Sequence, residues 1–206
     1  MDRGNHFLLR KVHSLLGIIP LGLFLIWHLY VNSIALMGAE VYDSVVNGLM
    51  GIMGFPYVLF VELFFIFIPL IIHGVYGMYI AYTSNYNVGT YGYARNWAFA
   101  VQRISGVILF FFLIWHVWHL RLAHVIFGTP INFDTMAGIV ASPFALGFFI
   151  LGIISAAYHF ANGIWGFLIT WGITVGPKSQ KVVAVATTAL FFVLSFVGVR
   201  AILAFV

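Results

Sequence analysis

Five long apolar stretches, each able to cross a bilayer, constrain this chain more than any motif in it. They fall at Val12–Met37, Tyr57–Tyr82, Trp97–Phe127, Pro143–Trp171 and Val182–Val206. A hydrocarbon core of about 30 Å takes about 20 apolar residues at about 1.5 Å of helical rise each. Lipid offers the backbone no hydrogen-bond partners, so such stretches fold as helices bonded within themselves. Only 7% of the 206 residues are charged and the mean hydropathy is +1.08, against roughly 25% charged residues in an ordinary soluble domain. The expected fold is all-α, a single five-helix transmembrane bundle over residues 1–206 with no soluble domain. The connections carry turn residues: a loop from Gly38 to Gly54, another from Asn85 to Asn96, FGTPINFD from Phe127, and GPKSQK from Gly176. The first run exceeds the roughly 7 to 15 residues of a signal-peptide core, which makes it a retained helix.

Charge orients the bundle. Arg3, Arg10 and Lys11 precede the first span, Arg95 precedes the third, Arg103 lies in its first turns, and Lys178 and Lys181 separate the fourth from the fifth. The opposite ends carry Glu40, Asp43 and Asp134, with Arg121 and Arg200 the basic residues near that side. The positive-inside rule therefore predicts a cytoplasmic N-terminus and an external C-terminus. The net charge of +4 is on this reading a topological signature, with nothing to suggest nucleic acid. A basic inner face suits lipid headgroups or an acidic protein partner. Cysteine is absent, which excludes disulfides, thiolate metal sites and cysteine-held iron–sulfur clusters in this chain. There is no GxGxxG and no Walker motif, so flavin or nucleotide chemistry would belong to another subunit.

Histidine carries the chemical signal. Of eight, His28, His73, His116 and His159 lie one in each of the first four spans. His28 is sixteen residues past the start of an outward-running span and His116 nineteen past the start of another, so both fall in the outer half. His73 and His159 are each sixteen residues into inward-running spans and fall in the inner half. The outer pair shares the pentapeptide FLIWH, and the inner pair shares a glycine four residues on, at Gly77 and Gly163. Residues four apart share a helix face, so these glycines leave flat space beside each imidazole. Two imidazoles at one depth on facing helices, with small residues around them, are what a planar macrocycle with two axial ligands requires. Two haems stacked across the membrane are the expectation. Gly17 lies eleven residues before His28, on the same face and about 16 Å away, at the depth of the inner haem, where the first span would let the ring pass. His119 competes with His116 for the outer position, although it is nearer the interface and lacks the FLIWH match.

Glu62 is the acidic residue well inside an apolar span. It lies eleven residues before His73, which places it on the haem-facing side near the outer haem. A carboxylate there meets a partner or water rather than lipid. Pairing with Arg121 is one reading; delivering protons to a quinone is the other.

Across nearly the whole chain, the stretches RKVHSLLGIIP, FLIWHLYVN, PLIIHGVYGMYIA, RNWAFAVQRISG, IWHVWH, HFANGIWGF and TWGITVGPKSQK resemble the single-chain di-haem cytochrome b subunits of succinate:menaquinone oxidoreductases, above all the Bacillus cytochrome b558 type. The resemblance implies five transmembrane helices in a bacterial cytoplasmic membrane. It also implies two b haems with bis-histidine ligation, a quinone substrate that is expected to be menaquinone, and two cytoplasmic partners, a flavoprotein and an iron–sulfur subunit. It carries the ligand roles to His28, His73, His116 and His159 and places His13 and Ser14 near the inner haem propionates. Arg10, Arg103 and Lys178 are basic candidates for the same carboxylates, or else inside-positive anchors. In related di-haem fumarate reductases a glutamate stands two residues before the fourth-helix ligand. Here that position is Ala157, so the resemblance does not extend to a proton route through that carboxylate.

The expected function is thus membrane anchor and electron conduit of a succinate dehydrogenase or fumarate reductase. Two rivals remain on sequence alone: a cytochrome b561-like carrier without soluble subunits, and a transporter whose histidines line a proton or metal path.

Overall fold

The computed structural model describes residues 3–53 and 57–206. Ten α-helices follow one another among these residues: α1 Arg3–Ile18, α2 Pro20–Ser33, α3 Ala39–Met53, α4 Tyr57–Glu62, α5 Ile68–Thr83, α6 Ala94–Val117, α7 Ala123–Phe127, α8 Phe133–Val140, α9 Pro143–Thr170 and α10 Pro177–Leu203. They assemble into five helical rods long and apolar enough to cross a membrane: span I His6–Met37, span II Tyr57–Thr83, span III Ala94–Phe127, span IV Pro143–Thr170 and span V Pro177–Leu203.

Each break within a rod has a local cause. Pro20 cannot donate to the residue one turn back, and span I divides there into α1 and α2, with the Ile19 and Leu23 amides keeping the ladder continuous on either side. Span II contains a π turn over Leu63–Phe67, ending two residues before Pro69. A wider turn there relieves the clash between the proline ring and the preceding turn's carbonyls. Span III has its own π turn over Trp118–Leu122. Pro143 and Pro177 open spans IV and V at the first helical position, where a missing N–H costs nothing. Gly128 ends α7 in the left-handed conformation at φ +70°.

Spans I to IV close a ring in which I packs on II, II on III, III on IV and IV back on I. Span V lies outside this ring, against the seam between IV and I. Close approach relies on glycine: a Cβ at Gly152 would meet the Phe112 ring, and one at Gly198 would meet Ile153 and Leu29. Two apolar cores result. One joins Leu29, Ala157, Phe160 and Leu194 where I, IV and V meet. The other closes one end of the ring with Phe112, Phe149, Ile202 and Phe205, covered by Tyr42 and Val46 of α3 and Met136 and Val140 of α8.

Those two covering helices differ from expectation. The stretch from Gly38 read as a loop is helix α3 through Met53; its end at Gly54 lies outside the described residues. Tyr42 and Val46, one turn apart, present an apolar face to the core and make the helix worth forming. The FGTPINFD connection likewise opens into α8, capped by Asn132, whose Oδ1 accepts from the Thr135 amide at 2.9 Å. The Phe133 amide donates to Asp43 Oδ1 at 2.7 Å and ties α8 to α3. Span I also begins earlier than Val12, at His6, because apolarity marks the bilayer while a helix continues beyond it.

Candidate functional site

The ring of four spans encloses a cavity of about 1590 Å³, and the histidines singled out by depth line it as two facing pairs. His28 of span I faces His116 of span III, with ring centroids 5.8 Å apart and planes at 83°. His73 of span II faces His159 of span IV at 6.1 Å and 89°. Keeping the labels outer and inner for the two layers, each spacing can be tested against a metal between two imidazoles. A metal–imidazole bond of about 2.0–2.1 Å, added to the distance of a ring nitrogen from its centroid, sets trans imidazole centroids about 6.3 Å apart. Both pairs come within about half an ångström of that. His119 does not enter: its Nδ1 donates to the Trp115 carbonyl at 2.9 Å, and the side chain is exposed against Trp115.

The inner imidazoles are held by backbone carbonyls. His73 Nδ1 lies 2.9 Å from the His13 oxygen and His159 Nδ1 lies 3.0 Å from the Gln102 oxygen. A carbonyl can only accept, so Nδ1 carries the proton in both and Nε2 keeps its lone pair for a metal. The Ser105 hydroxyl, buried between spans III and IV, sits 3.2 Å from His159 Nδ1. Gln102 and Ser105 were not singled out from sequence; a lone amide and a lone hydroxyl in an apolar span look like ordinary helix–helix contacts. Gly17 is at the inner layer as expected, but for a different reason. Its notch holds the His73 imidazole itself, since a Cβ there would stand 2.5 Å from His73 Cε1.

In the outer layer the FLIWH repeat acquires a contact. Phe24 stacks on His28 at 5.2 Å, and Phe112 stacks on His116 at 5.5 Å. Residues four apart share a face, so the phenylalanine, not the tryptophan, supports the imidazole in both copies. Trp27 is half exposed beside Tyr30, whereas Trp115 packs on Phe148 and Phe149. Asn32 donates to the His28 carbonyl at 2.8 Å, and its amide lies 3.4 Å from His28 Nε2. His116 Nδ1 is buried with no hydrogen-bond partner among the described residues.

Charged groups mark the cavity's two ends. Arg10, Arg103, His13 and Ser14 line its inner mouth. Arg103 lies flat over Phe99 and donates to the Phe99 carbonyl at 2.9 Å and to Ser84 Oγ at 3.2 Å. No carboxylate among the described residues pairs with Arg10 or Arg103, so the mouth suits an anionic group. Ser14 accepts from Trp171 Nε1 at 3.1 Å, and Lys11 caps the Thr170 carbonyl at the end of α9. Lys178 stands apart, in a shallow groove with Lys181, Val182 and Val185 on span V. At the outer end Arg121 Nη2 and Nε lie 2.6 and 2.7 Å from Glu62 Oε2, with both side chains largely buried. Both also line the cavity. The eleven-residue count from Glu62 to His73 assumed unbroken α-helix; the π turn intervenes, and Glu62 reaches the cavity all the same.

The residues therefore fit two planar tetrapyrroles: paired imidazoles at metal spacing, Nδ1 protons tied back in the inner pair, and unmatched cations where propionates would end. Residues 85–198 match the family described as succinate dehydrogenase/fumarate reductase transmembrane subunit. The chain belongs to this family. It is also 50% identical over 206 residues to the succinate dehydrogenase cytochrome b558 subunit of Bacillus subtilis (strain 168), with all of both chains covered. Membership of a succinate dehydrogenase/fumarate reductase transmembrane subunit family favours the anchor reading over the transporter and b561-like readings. Ala157, where related fumarate reductases have a glutamate, is fully buried against Leu29, Phe160 and Leu194 and faces away from the cavity.

Proposed function

We propose that the chain is the di-haem cytochrome b anchor of a succinate:quinone oxidoreductase, a single bundle over residues 1–206 with its N-terminus in the cytoplasm. Electrons would enter from an iron–sulfur subunit carrying a flavoprotein, and leave to a quinone, menaquinone by resemblance. The observation that carries this reading is the pair of imidazole pairs, 5.8 and 6.1 Å apart at two levels of one cavity. Haem b bound at each level supplies one-electron transfer. His28 and His116 would hold the outer haem, and His73 and His159 the inner one. The His13 and Gln102 carbonyls hold the inner imidazoles in the ligating tautomer. Arg10 and Arg103, with His13 and Ser14 beside them, would neutralise the haem propionates at the inner mouth, and Lys178 is left to the membrane surface. Reducing a quinone takes two electrons and two protons. Glu62, held by Arg121 at the outer end of the cavity, is positioned to pass those protons while the arginine keeps the carboxylate oriented.

Haem quantified per chain, from a reduced-minus-oxidised spectrum of the purified complex, should give two b haems. His28→Ala and His116→Ala should remove one and the same signal, and His73→Ala and His159→Ala the other. Loss of a common signal in His28→Ala and His73→Ala would overturn the pairing. Purification through this subunit in mild detergent should bring down a flavoprotein and an iron–sulfur protein.

A further inference from the structure

The inner layer is built twice by one local rule. In the first half, the His13 carbonyl accepts from His73 Nδ1, sixty residues on, and the glycine four residues after His13, Gly17, is the notch against the His73 ring. In the second half, the Gln102 carbonyl accepts from His159 Nδ1, fifty-seven residues on, and the glycine four residues after Gln102, Gly106, is the notch against the His159 ring, a Cβ there standing 3.0 Å from Cε1. The correspondence runs back the other way. The glycine four residues after His73, Gly77, faces the His13 ring, with 3.1 Å from a Cβ to Cε1. The glycine four residues after His159, Gly163, faces the Gln102 amide, with 3.6 Å to Nε2.

The outer layer obeys the same relation: span I continues from His13 to Phe24 and His28, and span III continues from Gln102 to Phe112 and His116, each phenylalanine stacked on its histidine. The intervals from His13 to His28 and from Gln102 to His116 are fifteen and fourteen residues, and the extra residue lies between Gly17 and Phe24, the stretch in which span I divides into α1 and α2 at Ile19.

We infer that spans I–II and III–IV are two copies of one haem-binding hairpin, and that Gln102 is the positional counterpart of His13, the two acting as equivalent positioning residues for the inner haem. This rests on the reading of His73 and His159 as its ligands. A two-fold relation maps span I onto III and II onto IV, and therefore maps each imidazole of a pair onto the other. Planes related in this way are turned by equal and opposite amounts from the axis. The hairpin's own geometry thus sets the near-perpendicular 89° and 83° of the two pairs. The copies differ in how the side chain finishes the clamp. His13 lies parallel on His73, with centroids 4.1 Å apart and planes at 3°. The Gln102 amide donates to the His159 carbonyl at 3.0 Å and accepts from Asn162 Nδ2 at 2.8 Å. Both arrangements keep the ligand from rotating about its own axis.

Equivalence is tested by exchange. The complete complex is purified with His13→Gln, Gln102→His or both, and with His13→Leu and Gln102→Leu. The readouts are the low-spin EPR g-values, the midpoint potential of each haem and haem per chain. Each exchange variant should keep the inner haem at its wild-type g-value. Each leucine variant should shift or abolish the inner signal and leave the outer one in place. If a leucine variant fails to assemble, the exchange variants still decide. Equivalence is overturned if His13→Gln behaves like His13→Leu, or if both leucine variants leave the inner haem unchanged. A wild-type complex lacking an inner haem would instead overturn the ligand reading on which this rests.

Discussion

The tightest contact in the inner layer makes a graded prediction. At Gly17 an added Cβ would stand 2.5 Å from His73 Cε1 and 2.9 Å from Nδ1. Ordinary carbon contact begins at about 3.5 Å, so the imidazole must retreat by about 1 Å in Gly17→Ala. A metal–imidazole bond tolerates about 0.2 Å, roughly a fifth of that displacement. Either span I moves off span II, at about 1–3 kcal/mol for overpacking, or His73 leaves the iron. The parallel Gly106→Ala needs only about 0.5 Å, by the same contact distance. Gly147→Ala provides the control, since nothing lies within 4 Å of its Cβ and the residue is exposed on span IV. Haem per chain and the inner EPR signal, measured on membranes with matched subunit levels, should fall most in Gly17→Ala, less in Gly106→Ala and not at all in Gly147→Ala. An unaltered inner signal at full haem content in Gly17→Ala would refute the idea that this notch seats an iron ligand.

Three further outcomes are expected. Glu62→Gln removes the ionisable group and half of the ion pair with Arg121. It should leave both haem spectra and succinate-driven dye reduction in place while lowering quinone reduction tenfold or more, and unchanged quinone reduction across pH would return Glu62 to a purely structural role. Ala157→Glu places a carboxylate at a fully buried position among Leu29, Phe160 and Leu194. At about 3 kcal/mol or more for a charge in a span, it should cut the amount of assembled complex, and normal assembly would show a polar route there after all. Tyr42 on α3 is pushed up to about 12 by burial and by the neighbouring Asp43 carboxylate. A detached α3 would ionise this phenol at about 10. Docking of α3 therefore holds its full strength below about pH 10 and weakens as pH rises through about 12. Hydrogen exchange of α3 should track that window in the wild type and lose the dependence in Tyr42→Phe.

The apolar runs alone determined five membrane-crossing helices, because only a helix satisfies its own backbone in lipid and the length per span follows from the rise. Histidine depth was equally legible, since height along a straight helix is a count of residues. That count sorted His28 with His116 and His73 with His159 before any contact was known. Height does not say which way a side chain turns or what fills the space beside it. Those depend on bends and neighbouring helices. A π turn interrupts the count from Glu62 to His73, so the cavity-facing position and the Arg121 pair that the count suggested are fixed by packing rather than by an unbroken helix. Gly17, Gly77 and Gly163 were visible as gaps, but only packing showed that they are filled by His73, His13 and Gln102. Helix α3 was hidden because its worth lies in the core that Tyr42 and Val46 complete, which exists only once the spans have met. The repeated FLIWH was plain in the chain. That it marks two copies of one hairpin emerged only from the carbonyls of His13 and Gln102, because a backbone acceptor leaves no trace in residue type.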